Sequence, residues 1–267
     1  MSLQIFLYFA VSLLASIAGA ICGIGGGVII KPTLDFFGWD SVSAISFLSG
    51  CTVFSMTAYS VLRTFVRRDR SSGLNLSQST PLAAGSVLGG IAGKELFSAI
   101  ARRFANPDRV GAVQAVCLFA VTAVVLVYTC NKHRVRTRHT SGVLRGMLVG
   151  AGLGLCSSFL GIGGGPINLM VLGYFYSMDT KTAASNSLYV ILFSQAASIV
   201  TTLVTNTVPS FSWVVWVLMV AGGISGGVIG RRLSSRLDNA QVDRLFTGMM
   251  ILIMLICVYN AWRFTCA

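Results

Sequence analysis

The sequence predicts an all-α integral membrane protein built from two inverted repeats, each a glycine-broken re-entrant helix hairpin plus three transmembrane helices. Three observations lead there. Charged residues make up 10% of the 267-residue chain and apolar residues 54%, whereas a soluble domain carries about 25% charged residues. Several uncharged stretches reach the roughly 20 residues that span about 30 Å of hydrocarbon as helix. A five-residue glycine motif also occurs twice, with similarly ordered residues after each copy. Lipid satisfies no unpaired backbone group, so the spans are helices or a closed barrel. Continuous apolarity without a strand's alternation decides for helices.

In chain order the apolar segments run over 3–22, 28–38, 41–62, 80–101, 109–130, 143–160, 166–177, 182–205, 211–230 and 245–262. Segments 28–38 and 166–177 are too short to cross alone, and both directly follow a glycine cluster. Residues 1–22 are read as retained rather than as a signal peptide, because no positive charge precedes Lys31.

Internal repetition organises the chain. Gly23-Ile24-Gly25-Gly26-Gly27 recurs as Gly161-Ile162-Gly163-Gly164-Gly165, 138 residues on. At an offset of 139, Asp40, Ala44 and Ser46 match Asp179, Ala183 and Ser185, and Phe54-Ser55 matches Phe193-Ser194. At an offset of 137, Gly85, Gly89, Gly90, Gly93 and Lys94 match Gly222, Gly226, Gly227, Gly230 and Arg231. Order and spacing hold across three segments, which divides the chain into a first repeat (1–130), a basic linker (131–141) and a second repeat (142–267).

The net charge of +12 would suggest nucleic acid in a soluble protein. Here the charges sit between apolar spans and read as topology signals, so no nucleic-acid partner is expected. If each broken segment crossed as one span, the 20 basic residues would divide ten to ten. As hairpins the division is fourteen to six, with Arg63, Arg67, Arg68, Arg70, Lys132 and Arg231 on the richer side. The six are Lys31, Lys94, Arg102, Arg103, Arg109 and Arg263. This bias favours hairpins, inverted halves, both termini outside and a multi-pass position in the cytoplasmic membrane. The linker then lies on the cytoplasmic face, near anionic lipid headgroups. The seven cysteines are odd in number and form no CxxC, so neither a disulfide framework nor a zinc site is expected.

Three successive glycines cost about 1 kcal/mol each in a helix and free N–H groups that lipid cannot satisfy. Such backbone is tolerated at membrane depth where protein buries it or where it lines a watery cavity. A helix starting just beyond aims its N–H groups and positive dipole end at that cavity, which suits an anion. Matched broken helices in two repeats point to a transporter's binding site; close packing by small residues is the competing reading. The candidate substrate-binding residues are Gly25, Gly26, Gly27, Gly163, Gly164 and Gly165, with the neutral donors Asn168, Asn186, Ser46, Ser49 and Gln195. Asn186 and Gln195 are costly deep in an apolar span unless paired or facing a cavity. Lys31 is the cation nearest the first cluster. The four-residue glycine ladders read as helix packing, and Lys94 and Arg231 at their ends as snorkelling or cavity-mouth charges.

Absences narrow the class. There is no GxGxxG and no GxxxxGK[ST], and hence no nucleotide or ATPase site. His133 and His139, the only histidines, both lie in the linker. No cofactor, metal or catalytic constellation is expected, and the chain is not expected to be an enzyme. The doubled GxGGG cluster, followed by Pro32 in one copy and Pro166 in the other, resembles the TauE/SafE family of sulfite exporters (the TSUP transporters). The ladders and the length fit, and the resemblance covers essentially the whole chain. It implies transport of sulfite, organosulfonates or related anions across the cytoplasmic membrane; the residues alone give only an anion. The expected function is therefore export of a small sulfur-containing anion, by alternating access at a midplane site between two Gly-rich hairpin tips. A passive anion channel and a membrane-embedded non-transport subunit are the alternatives. Expected partners are the anion and membrane lipid, with homo-oligomerisation left open.

Overall fold

A computed structural model describes residues 2–66, 73–103, 107–132, 134, 137 and 142–266. Arg67, Arg68, Arg70 and most of the basic linker, including both histidines, lie outside the described residues. Among the described residues ten helices follow in order: α1 (Ser2–Cys22), α2 (Gly27–Phe37), α3 (Val42–Val66), α4 (Leu76–Arg103), α5 (Pro107–Asn131), α6 (Val143–Leu160), α7 (Gly165–Tyr176), α8 (Thr180–Val204), α9 (Trp213–Ser234) and α10 (Asn239–Cys266). No strand occurs among the described residues.

Seven helices among the described residues are long and apolar enough to cross a membrane: α1, α3, α5, α6, α8, α9 and α10. The fourth helix has the length, 28 residues, but carries Ser77, Gln78, Ser79, Thr80, Lys94 and Glu95. It was expected as a crossing, yet it falls short of that standard in apolarity. Packing against α6 and α8 shelters it.

Both broken segments are hairpins. Tyr8, early in α1, hydrogen-bonds Asp40 just past α2, and its ring lies 5.8 Å from that of Trp39. So α2 returns to the end from which α1 set out. In the second hairpin the first carbon of a side chain at Gly146, in the opening turn of α6, would sit 3.4 Å from the hydroxyl of Tyr176 at the close of α7. Gly26 and Gly164 precede α2 and α7 with φ of 70° and 73°, a left-handed conformation that glycine adopts freely.

Contacts between distant segments sort the helix ends into two groups. Arg263 donates to the carbonyls of Asp35 and Phe36, at 2.9 and 2.8 Å, where α2 and α10 finish. Lys132 pairs with Asp243 and Thr180, where α5 finishes and α8 and α10 begin. The first hairpin opens at this Arg263 end. The second opens at the Lys132 end, where Ser177 donates to Thr137 at 2.8 Å.

The glycine ladders set how the halves meet. A carbon added at Gly85, Gly89 or Gly93 would lie 2.0, 1.9 or 2.4 Å from the carbonyl oxygens of Met147, Ala151 and Leu155 on α6. At Gly222, Gly226 and Gly230 the distances are 3.2, 2.7 and 2.5 Å to those of Phe9, Leu13 and Ile17 on α1. The two carbonyl sets are themselves 138 residues apart. Each ladder thus packs on the first helix of the other half, in the same register, as small-xxx-small helices do. The hairpin tips also touch reciprocally: a carbon added at Gly27 would lie 2.8 Å from Ile162 O, and one at Gly165 would lie 2.0 Å from Ile24 O. Buried Val53 and Ile191 fill the space between the tips.

Candidate functional site

At the Arg263 end a partly enclosed cavity runs down to the second hairpin tip. Ser46, Phe47 and Gly50 of α3 line it, with Lys94 and Phe97 of α4 and Gln114 of α5. Ser158 and Gly161 come from the tip, and Gln195, Ser198, Ile199 and Thr202 from α8. It leaves about 20 Å³ for the centres of water-sized molecules. One water needs about 10–15 Å³ on that measure, so the cavity takes one small, largely dehydrated group.

Its lining offers one cation and neutral donors. Lys94 is partly buried, its ammonium 5.9 Å from the centre of the Phe97 ring. The remaining polar lining is uncharged hydroxyl and amide, so the cation is not cancelled within the cavity. A charge held at low dielectric attracts an opposite one far more strongly than in water. Around the tip, Ser157 Oγ, Ser158 Oγ, Ser194 Oγ and Asn168 Oδ1 are buried without a protein partner. The N-cap of α7, Gly164, provides no side-chain cap, which leaves first-turn N–H groups of the kind that favour negative charge.

A second cation stands behind the cavity wall. Lys31 is 3% exposed. Its ammonium donates to Gln114 Oε1 at 2.6 Å and lies 3.5 Å from Asp35 Oδ2. Gln114 Nε2 donates in turn to Phe159 O at 2.7 Å. The cavity and the buried pair therefore share Gln114.

The residues singled out from sequence fall in several places. Ser46 and Gln195 line the cavity, the Ser46 hydroxyl also bonding back to Val42 O at 2.7 Å. Gly163 touches Gln195, whose Nε2 would lie 3.2 Å from an added carbon. Gly164 and Gly165 continue the tip below the cavity, with Asn168 one turn on. Gly25 faces Val53 and Ile191, Gly26 packs on Ala15, and Gly27 packs on Ile162. Ser49 is buried and its hydroxyl has no protein partner, but it does not line the cavity. Asn186 lies at the Lys132 end: it accepts from Asn75 N and Ser79, and donates to Gly73 O and Thr182 O. Gln114, Ser158, Ser198 and Thr202 line the cavity with no candidate role in the sequence, whereas Gly161 opens the second glycine cluster and Lys94 is the ladder end expected to snorkel or to sit at a cavity mouth. A glutamine at 114, inside an otherwise apolar span, was the available signal.

The sequence family described as "Sulfite exporter TauE/SafE" matches residues 8–256. The chain belongs to the TauE/SafE family. A 111-residue stretch is also 28% identical to a "Probable membrane transporter protein" of Xylella fastidiosa (strain Temecula1 / ATCC 700964), covering 41% of this chain and 41% of that protein's length. No solved structure matches. Family and relative both indicate membrane transport, and the apolar helices make this TauE/SafE member a multi-pass membrane protein. Among its described residues, no group of three or more His, Cys, Asp or Glu is placed to hold a metal ion.

Proposed function

We propose that the chain carries a small sulfur-containing anion, such as sulfite or an organosulfonate, across the cytoplasmic membrane by alternating access. The observation that carries this reading is the cavity that joins Lys94 to neutral donors at the tip of a broken helix. Lys94 draws the anion in, and Gln195, Ser46 and Ser158 replace its water. The family's description supports the sulfur class. The two halves act as inverted repeats that rock about the touching tips, so the equivalent space at the Lys132 end opens as this one shuts. The packed tips and the Val53–Ile191 contact region support a carrier over a passive channel, which needs one open path.

Purified protein in proteoliposomes on a solid-supported membrane tests this, with sulfite, sulfate, thiosulfate, sulfoacetate and taurine applied in turn. Saturable currents, or labelled-anion uptake where exchange is electroneutral, are expected for at least one sulfur anion. Lys94→Met should lower the apparent affinity at least about tenfold, a loss of roughly 1.4 kcal/mol. Neither current nor uptake with any of them ends the sulfur-anion reading. Turnover at channel rates would replace the carrier with a pore.

A further inference from the structure

Beyond Gln114 lies a second, smaller cavity, lined by Lys31, Pro32, Asp35, Gln114, Cys257 and Asn260 among others. It leaves about 10 Å³ for the centres of water-sized molecules, room for about one. Asp35 is 7% exposed and Asn260 2%, and Oδ1 of each has no protein partner. The Asn260 amide is oriented by its other side, since Nδ2 donates to Pro32 O at 2.8 Å. Its oxygen is thereby left unspent. Two buried acceptors on one cavity lack a donor, which native interiors rarely tolerate.

Two occupants can be weighed. A metal cation would meet the Lys31 ammonium 3.5 Å from the same carboxylate. It would also lack ligands, since hard cations take about six or more oxygens and Gln114 Oε1 is engaged by Lys31. A proton fits better, because on the Asp35 carboxyl it turns an acceptor into a donor. We propose that Asp35 binds a proton that crosses the membrane together with the anion. This rests on the anion-transport reading above.

The coupling is electrostatic. While Asp35 is ionised, it balances Lys31. A proton taken from solution forms an O–H bond on Asp35, and the Lys31 charge is then unbalanced. Lys31 holds Gln114, whose side chain also lines the anion cavity. A monoanion entering there restores the balance, so each ligand strengthens binding of the other. The other charged or titratable groups that act on this pair are Arg263 and Cys257 on α10, Tyr8 on α1 and Lys94 on α4. Arg263 is committed to the Asp35 and Phe36 carbonyls, and Tyr8 to Asp40. The second half has Leu169 and Gly173 at the equivalent positions, so the chain carries one such proton.

The test uses the full chain in proteoliposomes with an entrapped pH dye. The probes are thiosulfate and methanesulfonate, anions of strong acids that hold no proton of their own near neutrality. Anion addition should acidify the lumen, and apparent affinity should weaken about tenfold per pH unit above the Asp35 titration. In Asp35→Asn, anion uptake should persist without proton movement and with a flat pH profile. Wild-type anion flux without proton movement, or an unchanged pH profile in Asp35→Asn, overturns the proton site and leaves the anion reading intact. Absence of any anion flux overturns the anion reading instead. An infrared titration then decides the proton site by itself. The difference between wild type and Asp35→Asn should contain a protonated-carboxyl band that grows as pH falls, above what the seven other Asp and Glu give in both proteins; identical spectra of the two refute the assignment. If Asp35→Asn does not fold with Lys31 unpaired, the double variant Lys31→Met/Asp35→Asn supplies the same readouts.

Discussion

The two ends of the bundle are built from matching segments, and among the described residues the cavity with Lys94 is at only one of them. At the Arg263 end, a carbon added at Gly161 would lie 3.0 Å from Ser46 Oγ, and Gly50 faces the Gln195 amide. Gly23 meets Ala184 as Gly161 meets Ser46, so in space α3 and α8 correspond at 138 residues rather than the 139 of the sequence match, and the counterparts at the Lys132 end are Gly23, Ala184, Leu188 and Thr57. There, a carbon added at Gly23 would lie 2.2 Å from Ala184 Cα, and Ser187 donates to Gly23 O at 2.6 Å. Leu188 packs with Ala20 and Met56. At the Lys132 end α8 therefore lies directly on its tip, and the cavity found there lies to one side, among α5, α7, α10 and the start of α8, while at the other end α3 stands slightly off its tip. Leucine where the partner end has glycine fills what would be the matching cavity. The charges differ as well, because Lys31 and Asp35 oppose Leu169 and Gly173. Equal packing registers with unequal side chains thus give two tips that are packed to different degrees.

The largest effect should come from the unequal charges. Lys31→Met leaves the Asp35 carboxylate buried and unpaired, which costs about 3–5 kcal/mol. Its counterpart Leu169→Met should cost less than about 1.5 kcal/mol. Thermal unfolding in detergent compares them, and equal shifts would refute a buried ion pair at that end. Next come the ladders. Gly89→Leu drives a side chain into the Ala151 carbonyl and should reach or exceed the upper part of the about 1–3 kcal/mol range for overpacking. Gly90→Ala would place its carbon 3.3 Å from Ser158 Oγ and should be tolerated, both seen by size-exclusion profile and melting.

A third experiment closes the open end. Gly50→Leu copies Leu188 into the cavity and should cut anion uptake at least about tenfold, roughly 1.4 kcal/mol, while the protein stays folded. In a cysteine-free background, Thr202→Cys should react with an impermeant thiol reagent, and its counterpart Thr64→Cys should not. Equal labelling would erase the distinction between the ends. The smallest effect is at the α8 cap. Asp179 accepts from Thr182 N, so Asp179→Ala should cost about 1 kcal/mol. Burial pushes the Asp179 carboxyl up, but hydrogen bonds from Thr182, Asn239 and the Lys181 backbone outweigh it and hold the carboxyl below the usual range. That stabilisation is present above the unfolded carboxylate value of about 3.9. It is lost as pH falls through the folded value, so the gap to the variant should shrink below about pH 4.

The elements were readable because lipid leaves the backbone so little choice. Long apolar runs became helices, and the glycine clusters became the turns of hairpins. The ladders were readable as packing surfaces, though not their partners, since spacing by four does not say which helix it fits. The cavity was readable only in part. Ser46 and Gln195 stood out as polar residues in apolar spans, and both line it. Asn186 stood out for the same reason, but its polarity is used up by the backbone around Gly73 and Asn75. Burial cost alone cannot tell a ligand group from a loop anchor. Lys94, Gln114 and Ser158 meet across three helices, and that convergence depends on tertiary offsets of an ångström or two. The Lys31–Asp35 pair was visible as an i, i+4 pair only once α2 was known to continue through Pro32.

Swapped packing of the ladders also sets an order of synthesis. The first helix waits for α9, which begins about 190 residues after α1 ends, or about 10–40 s at ribosomal speeds of about 5–20 residues per second. The fourth helix waits for α6 across only about 40 residues, about 2–8 s at the same speeds. The orphan with the long wait, α1, contains no charged residue and can sit alone in lipid. The polar α4 is made when its cover is nearly in hand. Exchanging the two halves in gene order would leave the protein's contacts unchanged. It would also make the apolar α6 the early orphan, and leave the polar α4 to be made beside a helix already in place.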